Sequence, residues 1–203
     1  MSNLVAAVCC CAVSVPIIYY GGEHCFSGGD DPLNRAPLWP TAFDQSGAQF
    51  HWYQVLLGWR AFAALALLPL DMLLLDESVM AFSRGANTFV ALTNSVGGKP
   101  QTRTVAQSPF APGAHICNIF AQLQDCIVTD AQSGSWQLKL DGGEVKVYVP
   151  HVHAQSFLAS PHAAGIDWAV LASGMPGRAP AASAGSSVMR QHRQDKLHRI
   201  ALE

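Results

Sequence analysis

The residues with the chemistry to bind or react concentrate in a few places. The densest is GGEHCFSGGDDPLNRAPLW, residues 21–39, a glycine-rich stretch holding Glu23, His24, Asp30, Asp31 and Arg35. A connection that long between regular elements usually carries function. Two cysteines, Cys117 and Cys126, stand nine residues apart between β-like runs, a spacing that either closes a short loop as a disulfide or leaves two buried thiols. The disulfide reading would place the chain in an oxidising compartment. The adjacent Cys9, Cys10 and Cys11, in an apolar stretch with Cys25 nearby, read as small buried hydrophobes. His151, His153 and His162 have the right type for a metal centre, but they sit among Gly, Ala, Ser and Pro without organised ligands and read as solvated. No Ser/His/Asp arrangement, phosphate-binding loop or CxxC pair is evident.

The elements that must position these groups begin with an apolar run. Residues 4–12 read as the end of a buried helix and residues 14–20 as a buried strand, because Ser14 and Pro16 break the helical pattern while Val15, Ile17 and Ile18 favour β structure. The run is 17 residues long, short of the roughly 20 needed to span a bilayer. It also lacks the basic flank and small-residue cleavage site of a signal peptide. After the loop, Asp44 or Ser46 is placed to cap a largely buried helix carrying Phe50, Tyr53, Leu57, Phe62, Leu65 and Leu68, which Pro69 ends.

From about residue 72 the period drops to two over seven runs, VMAFSRG, NTFVALTN, QTRTVAQ, HICNIF, CIVTDA, SWQLKL and EVKVYVP, which predict a small antiparallel sandwich. Turn residues separate the runs at 84–87, 96–100 and 141–143. Beyond Pro150 the composition shifts to Ala, Gly, Ser, Pro and His, and five of the eight histidines lie there, the pattern of a low-complexity, mostly disordered tail.

Bulk composition narrows the classes. Hydrophobic residues make up 50% and charged residues 13% of the 203, and the mean hydropathy is +0.19, all within the globular range. Twelve Lys and Arg against fourteen Asp and Glu, a net charge of -2 with no dense basic stripe, give no electrostatic footprint for a polyphosphate backbone, so nucleic acid is not expected as a partner. A membrane is excluded by the length of the apolar run, and the oligomeric state is not encoded in any recognisable pattern.

The stretch VSVPIIYYGGEHCFSGGDDPLNRAPLW resembles the last barrel strand and following loop of the α-amylase family (glycoside hydrolase family 13), where PIIYYGxEQ leads into GGNDPxNREPLW. The apolar strand, the Gly-Gly-Glu turn, the Gly-Gly-Asp-Asp-Pro loop, Asn34-Arg35 and Trp39 occur together and in order. Ser14, His24 and Ala36 stand where the family has glycine, glutamine and glutamate, and Ala36 removes one partner for Arg35. The resemblance covers about residues 5 to 150 and extends, less specifically, to CNIF, DCIVTD and GEVKVYVP of the family's C-terminal sandwich.

The resemblance implies an α+β fragment: the terminal β/α unit of a (β/α)8 barrel in residues 1–70, the β-sandwich called domain C in residues 71–150, and the tail in residues 151–203. In such barrels the C-terminal strand ends carry the site. Asp31 and Arg35 match family positions that hydrogen-bond a sugar, and a planar fork of donors beside a carboxylate suits vicinal hydroxyls. The competing reading is an Asp31–Arg35 ion pair that stabilises the loop. Glu23 matches a buried family glutamate that holds neighbouring strands together, a structural role. Trp39, Trp52 and Trp59 could stack on sugars, but the last two lie in the buried helix and read as core.

What the resemblance leaves out matters as much. Hydrolysis with retention needs two carboxyl groups across the scissile bond, and the family draws these, a third aspartate and its calcium ligands from earlier strands. Of Glu23, Asp30, Asp31 and Asp44, none matches a catalytic position. A whole barrel takes roughly 250 residues, whereas about 70 precede the sandwich. Met1 falls within what resembles a helix, which fits a clipped view of a longer enzyme; a genuine short product is the alternative reading. The parent would be an extracellular hydrolase of internal α-1,4 bonds in starch or glycogen, with calcium in the full-length enzyme and no metal or cofactor in this chain. The chain alone is expected to be inactive. The rival is a non-catalytic sandwich module that binds a glucan or docks on an enzyme.

Overall fold

The computed structural model describes residue 11 and residues 15–26, 28–95 and 99–174. Most of the expected helix end at 4–12, with Cys9 and Cys10, lies outside the described residues, as do Ser14, residues 96–98 of one turn and residues 175–203 of the tail.

Each of the seven period-two runs forms a strand, and an eighth precedes them. Strands β1 (Leu70–Leu75), β2 (Val79–Arg84), β3 (Phe89–Thr93), β5 (His115–Asn118), β6 (Cys126–Val128) and β8 (Val145–Pro150) make one antiparallel sheet in the order β1-β2-β3-β8-β5-β6. Strands β4 (Gln101–Val105) and β7 (Trp136–Leu140) pair separately. The alternation of side chains sorts them into layers. Val79, Ala81, Phe89, Ala91, Ile116 and Tyr148 leave one face of the large sheet to pack on Val105, Trp136, Leu138 and Leu140 of the small one. The opposite face, with Phe82, Val90, Leu92, Val145, Val147 and Val149, packs on helices. Strand β3 is therefore buried along its whole length, while β7 alternates buried and exposed.

Among the described residues, three helices build the third layer: α1 (Ala48–Phe62), α2 (His151–Leu158) and α3 (Trp168–Ser173). Helix α1 buries His51, Trp52, Val55, Leu56 and Trp59; Leu57, expected inside, faces outward. Its N-cap is Gly47 without a side-chain bond. Asp44 instead accepts from the Ser46 amide and hydroxyl, both at 2.9 Å, and these bonds hold its carboxyl below the usual range. The helix stops at Phe62, before Pro69, because Ala64 turns left-handed at φ 49° and residues Leu65–Leu67 continue as a 3-10 turn.

Two expectations are corrected. Residues 15–20 form no strand, and Val15, Ile17 and Tyr19 are exposed, not buried. A single parallel strand has no ladder to join, since no described neighbour offers it backbone partners. Residues 151–174, expected to belong to a disordered tail, form α2, α3 and a 3-10 turn at Pro161–Ala163 between them. Their apolar residues Ala154, Phe157, Ala163, Ile166 and Leu171 join the core beneath α1. Asp167 caps α3, accepting from Ala169 and Val170 amides at 3.0 Å.

The contact between α1 and this C-terminal segment is close enough to need glycine. A Cβ on Gly58 would lie 2.6 Å from the His162 carbonyl oxygen. Gly58→Ala is expected to destabilise the protein: overpacking against backbone costs about 1–3 kcal/mol, more than the ~1 kcal/mol that alanine gains over glycine in a helix. A lowered urea midpoint checks this; a raised midpoint refutes the contact.

Candidate functional site

The acidic loop begins directly after residues 15–20, at a turn packed on α1. Gly21 adopts φ 84°, and a Cβ there would collide with the Phe26 ring at 2.3 Å, so the turn requires glycine. A 3-10 turn, Gly22–His24, follows, and a Cβ on Gly22 would stand 3.2 Å from the Tyr53 hydroxyl of α1. The buried helix thus seats the start of the loop. Glu23 lies in this turn, partly buried, with one carboxylate oxygen 3.9 Å from His24 Nε2. The strands that it was expected to hold are not among the described residues.

Beyond Gly28 the loop opens to solvent. A 3-10 turn, Leu33–Arg35, closed by the Arg35 amide donating to the Pro32 carbonyl at 3.0 Å, brings Arg35 back onto Asp31. Arg35 Nε meets Asp31 Oδ1 at 3.0 Å, with the side chains 70% and 61% exposed respectively. An ion pair this exposed contributes about 0–1 kcal/mol. It leaves a planar donor group and a carboxylate side by side at an accessible surface. Trp39 begins the next 3-10 turn and is 72% exposed, whereas Trp52 and Trp59 are core, Trp52 stacked on Phe120 at 5.3 Å.

The second group of chemically able residues lies across the sandwich edge. Cys117 and Cys126 stand opposite each other in β5 and β6 and form a disulfide. Sequence reasoning missed His115, whose ring stacks on His151 with centroids 4.4 Å apart. The available signal was the i, i+2 spacing of His115 and Cys117, which puts both on one face of a strand. His162 packs edge-on against Phe62 at 6.3 Å, away from His151.

Comparison with known proteins agrees with this architecture. No family model matches the chain. Alpha-amylase 1 of Schwanniomyces occidentalis is 27% identical over 144 residues, 67% of this chain and 28% of that protein. The alpha-amylase of Saccharomycopsis fibuligera is 24% identical over 149 residues, 69% of this chain and 28% of its own length. The solved structure of an alpha-amylase from Malbranchea cinnamomea superposes with a TM-score of 0.66 at 25% identity, covering 82% of this chain and 34% of that one. The chain thus spans 28% of the length of these two curated relatives.

Proposed function

We infer that this chain, an α-amylase-like C-terminal region with a mixed α/β fold and no closed barrel, works as the C-terminal part of a glycoside hydrolase acting on α-1,4-glucans such as starch or glycogen. The observation that carries this reading is the exposed Asp31–Arg35 pair on the loop, in a chain whose curated relatives are alpha-amylases. In this reading residues 1–70 belong to a barrel and residues 71–150 are its sandwich domain. Asp31 and Arg35 grip sugar hydroxyls, and Glu23 is structural. Calcium and the catalytic carboxylates come from chain outside these 203 residues, and the longer protein is extracellular, in keeping with a disulfide. Large apolar side chains left uncovered are in keeping with a larger covering body: Ile17 and Leu67 are 84% and 85% exposed, and Trp39, Phe43 and Leu75 are exposed as well.

The test is amylose affinity of the full chain. Losing a charge-assisted hydrogen bond costs about 1.5 kcal/mol or more, so Arg35→Ala is expected to weaken retention on amylose roughly tenfold. Equal retention of the variant would overturn the assignment of Arg35. Retention that the isolated sandwich reproduces in full would favour the rival, a glucan-binding module.

A further inference from the structure

We propose that reduction of the Cys117–Cys126 disulfide uncovers a Cys2His site for a borderline-soft divalent cation, zinc above all, with His115 as the third ligand. His115 and Cys117 lie two residues apart on one face of β5, and β6 sets Cys126 directly opposite Cys117. One ligand atom from each of the three residues falls within 4.8 Å of the others, a convergence that no other group of three His, Cys, Asp or Glu achieves among the described residues. Two thiolates and an imidazole are the donor set of known zinc sites that keep a fourth, open position. Strand β6 is the outermost strand of the sheet, and His115 is exposed, so an ion reaches the site from solvent although Cys117 is buried. The ring of His151, stacked on His115, limits how that imidazole turns and so helps to orient it.

The chemistry balances with a dithiol as reductant. It passes two electrons to the S–S bond and becomes a cyclic disulfide, leaving two protein thiols. On metal uptake each thiol releases its proton to solvent, and His115 binds through a neutral ring nitrogen. With the bond intact the sulfurs have no thiolate to offer, so the site exists in the reduced chain alone. It is independent of the glucan reading.

The test titrates the full chain, reduced with a dithiol and desalted without oxygen, with Co2+ as a spectroscopic stand-in for Zn2+. One tight site with a sulfur-to-cobalt charge-transfer band is expected, and reoxidation should abolish it. His115→Ala should weaken binding at least about tenfold, the size that even outer-shell changes reach. A Cys117→Ser/Cys126→Ser variant, which keeps Cys9, Cys10, Cys11 and Cys25, should lose the band. Iodoacetamide mapping of the wild-type chain adds a readout that needs no variant: Zn2+ should shield Cys117 and Cys126. Absence of a tight site, unshielded Cys117 and Cys126, or unchanged binding by either variant would overturn the proposal.

Discussion

The purified 203-residue chain is expected to release no reducing ends from soluble starch beyond a buffer blank. Retaining hydrolysis places two carboxyl groups ~5–5.5 Å apart across the bond, one ionised and one held protonated. On the loop, Asp31 is committed to Arg35 and Glu23 faces His24. Two carboxylates do converge in the sandwich, where Lys146 Nζ lies 3.0 Å from Asp125 and 3.8 Å from Glu144. Burial pushes the Glu144 carboxyl up, the direction that a general acid needs. Yet the ammonium of Lys146 contacts both groups, and Asp125 also accepts from the Tyr148 hydroxyl at 3.0 Å and from Asn118 at 3.1 Å. Glu144 closes its own turn by accepting from the Asp141 amide at 2.8 Å. These acids are satisfied by protein groups. Enzymes accelerate their reactions at least about a millionfold, and without a free carboxyl pair to act across the bond no measurable part of that is expected. Reducing ends that accumulate in proportion to chain concentration, and vanish in Glu144→Gln, would refute it.

How far the sequence could be read depends on which force shaped each part. The fully buried β3 is marked by the turn residues on either side of it, while strands such as β4 and β7 were legible because side-chain alternation is a local consequence of the pleat, and their register then follows the buried residues Trp136, Leu138 and Leu140. Strand β1 was not: Met72 to Leu75 is continuously apolar, so it shows no period, and its pairing with β2 is irregular between Met72 and Leu74. The sequence of the loop marks Asp31 and Arg35 by type and order, but their exposure and mutual contact depend on a turn that only the folded chain supplies. His115 escaped notice because its neighbours Cys126 and His151 arrive from a different strand and from a helix. The composition of residues 151–174 misled most. Small residues there signal disorder when counted, whereas the sparse Phe157, Ile166 and Leu171 decide the outcome by what they meet on α1 and the sheet.

The docking of residues 151–174 on α1 is tested most sharply at Phe157. Phe157→Ala is expected to cost about 3–5 kcal/mol, the range for emptying a buried phenylalanine site. Phe157 is 0% exposed. Its ring stands edge-on to Trp59 with centroids 5.5 Å apart, and to Phe62 at 5.7 Å. Truncation removes both contacts from a cluster where Trp59 is also pinned, its indole Nε1 donating to Thr88 Oγ1 at 3.2 Å. Collapse cannot fill the gap easily, because the Thr88 bond ties Trp59 to the sheet and the His162 carbonyl already crowds Gly58 on the same helix. Ser156, the neighbour of Phe157, is exposed and bonds only its own helix, at the Val152 carbonyl. Ser156→Ala should therefore stay within about 0.5 kcal/mol. Urea unfolding of the two variants separates the readings. A large gap means that α2 is part of the core; equal, small effects would mean that residues after Pro150 do not dock on α1. If Phe157→Ala fails to fold, Phe157→Leu, which keeps most of the apolar volume, should retain the fold at a cost of about 1–2 kcal/mol.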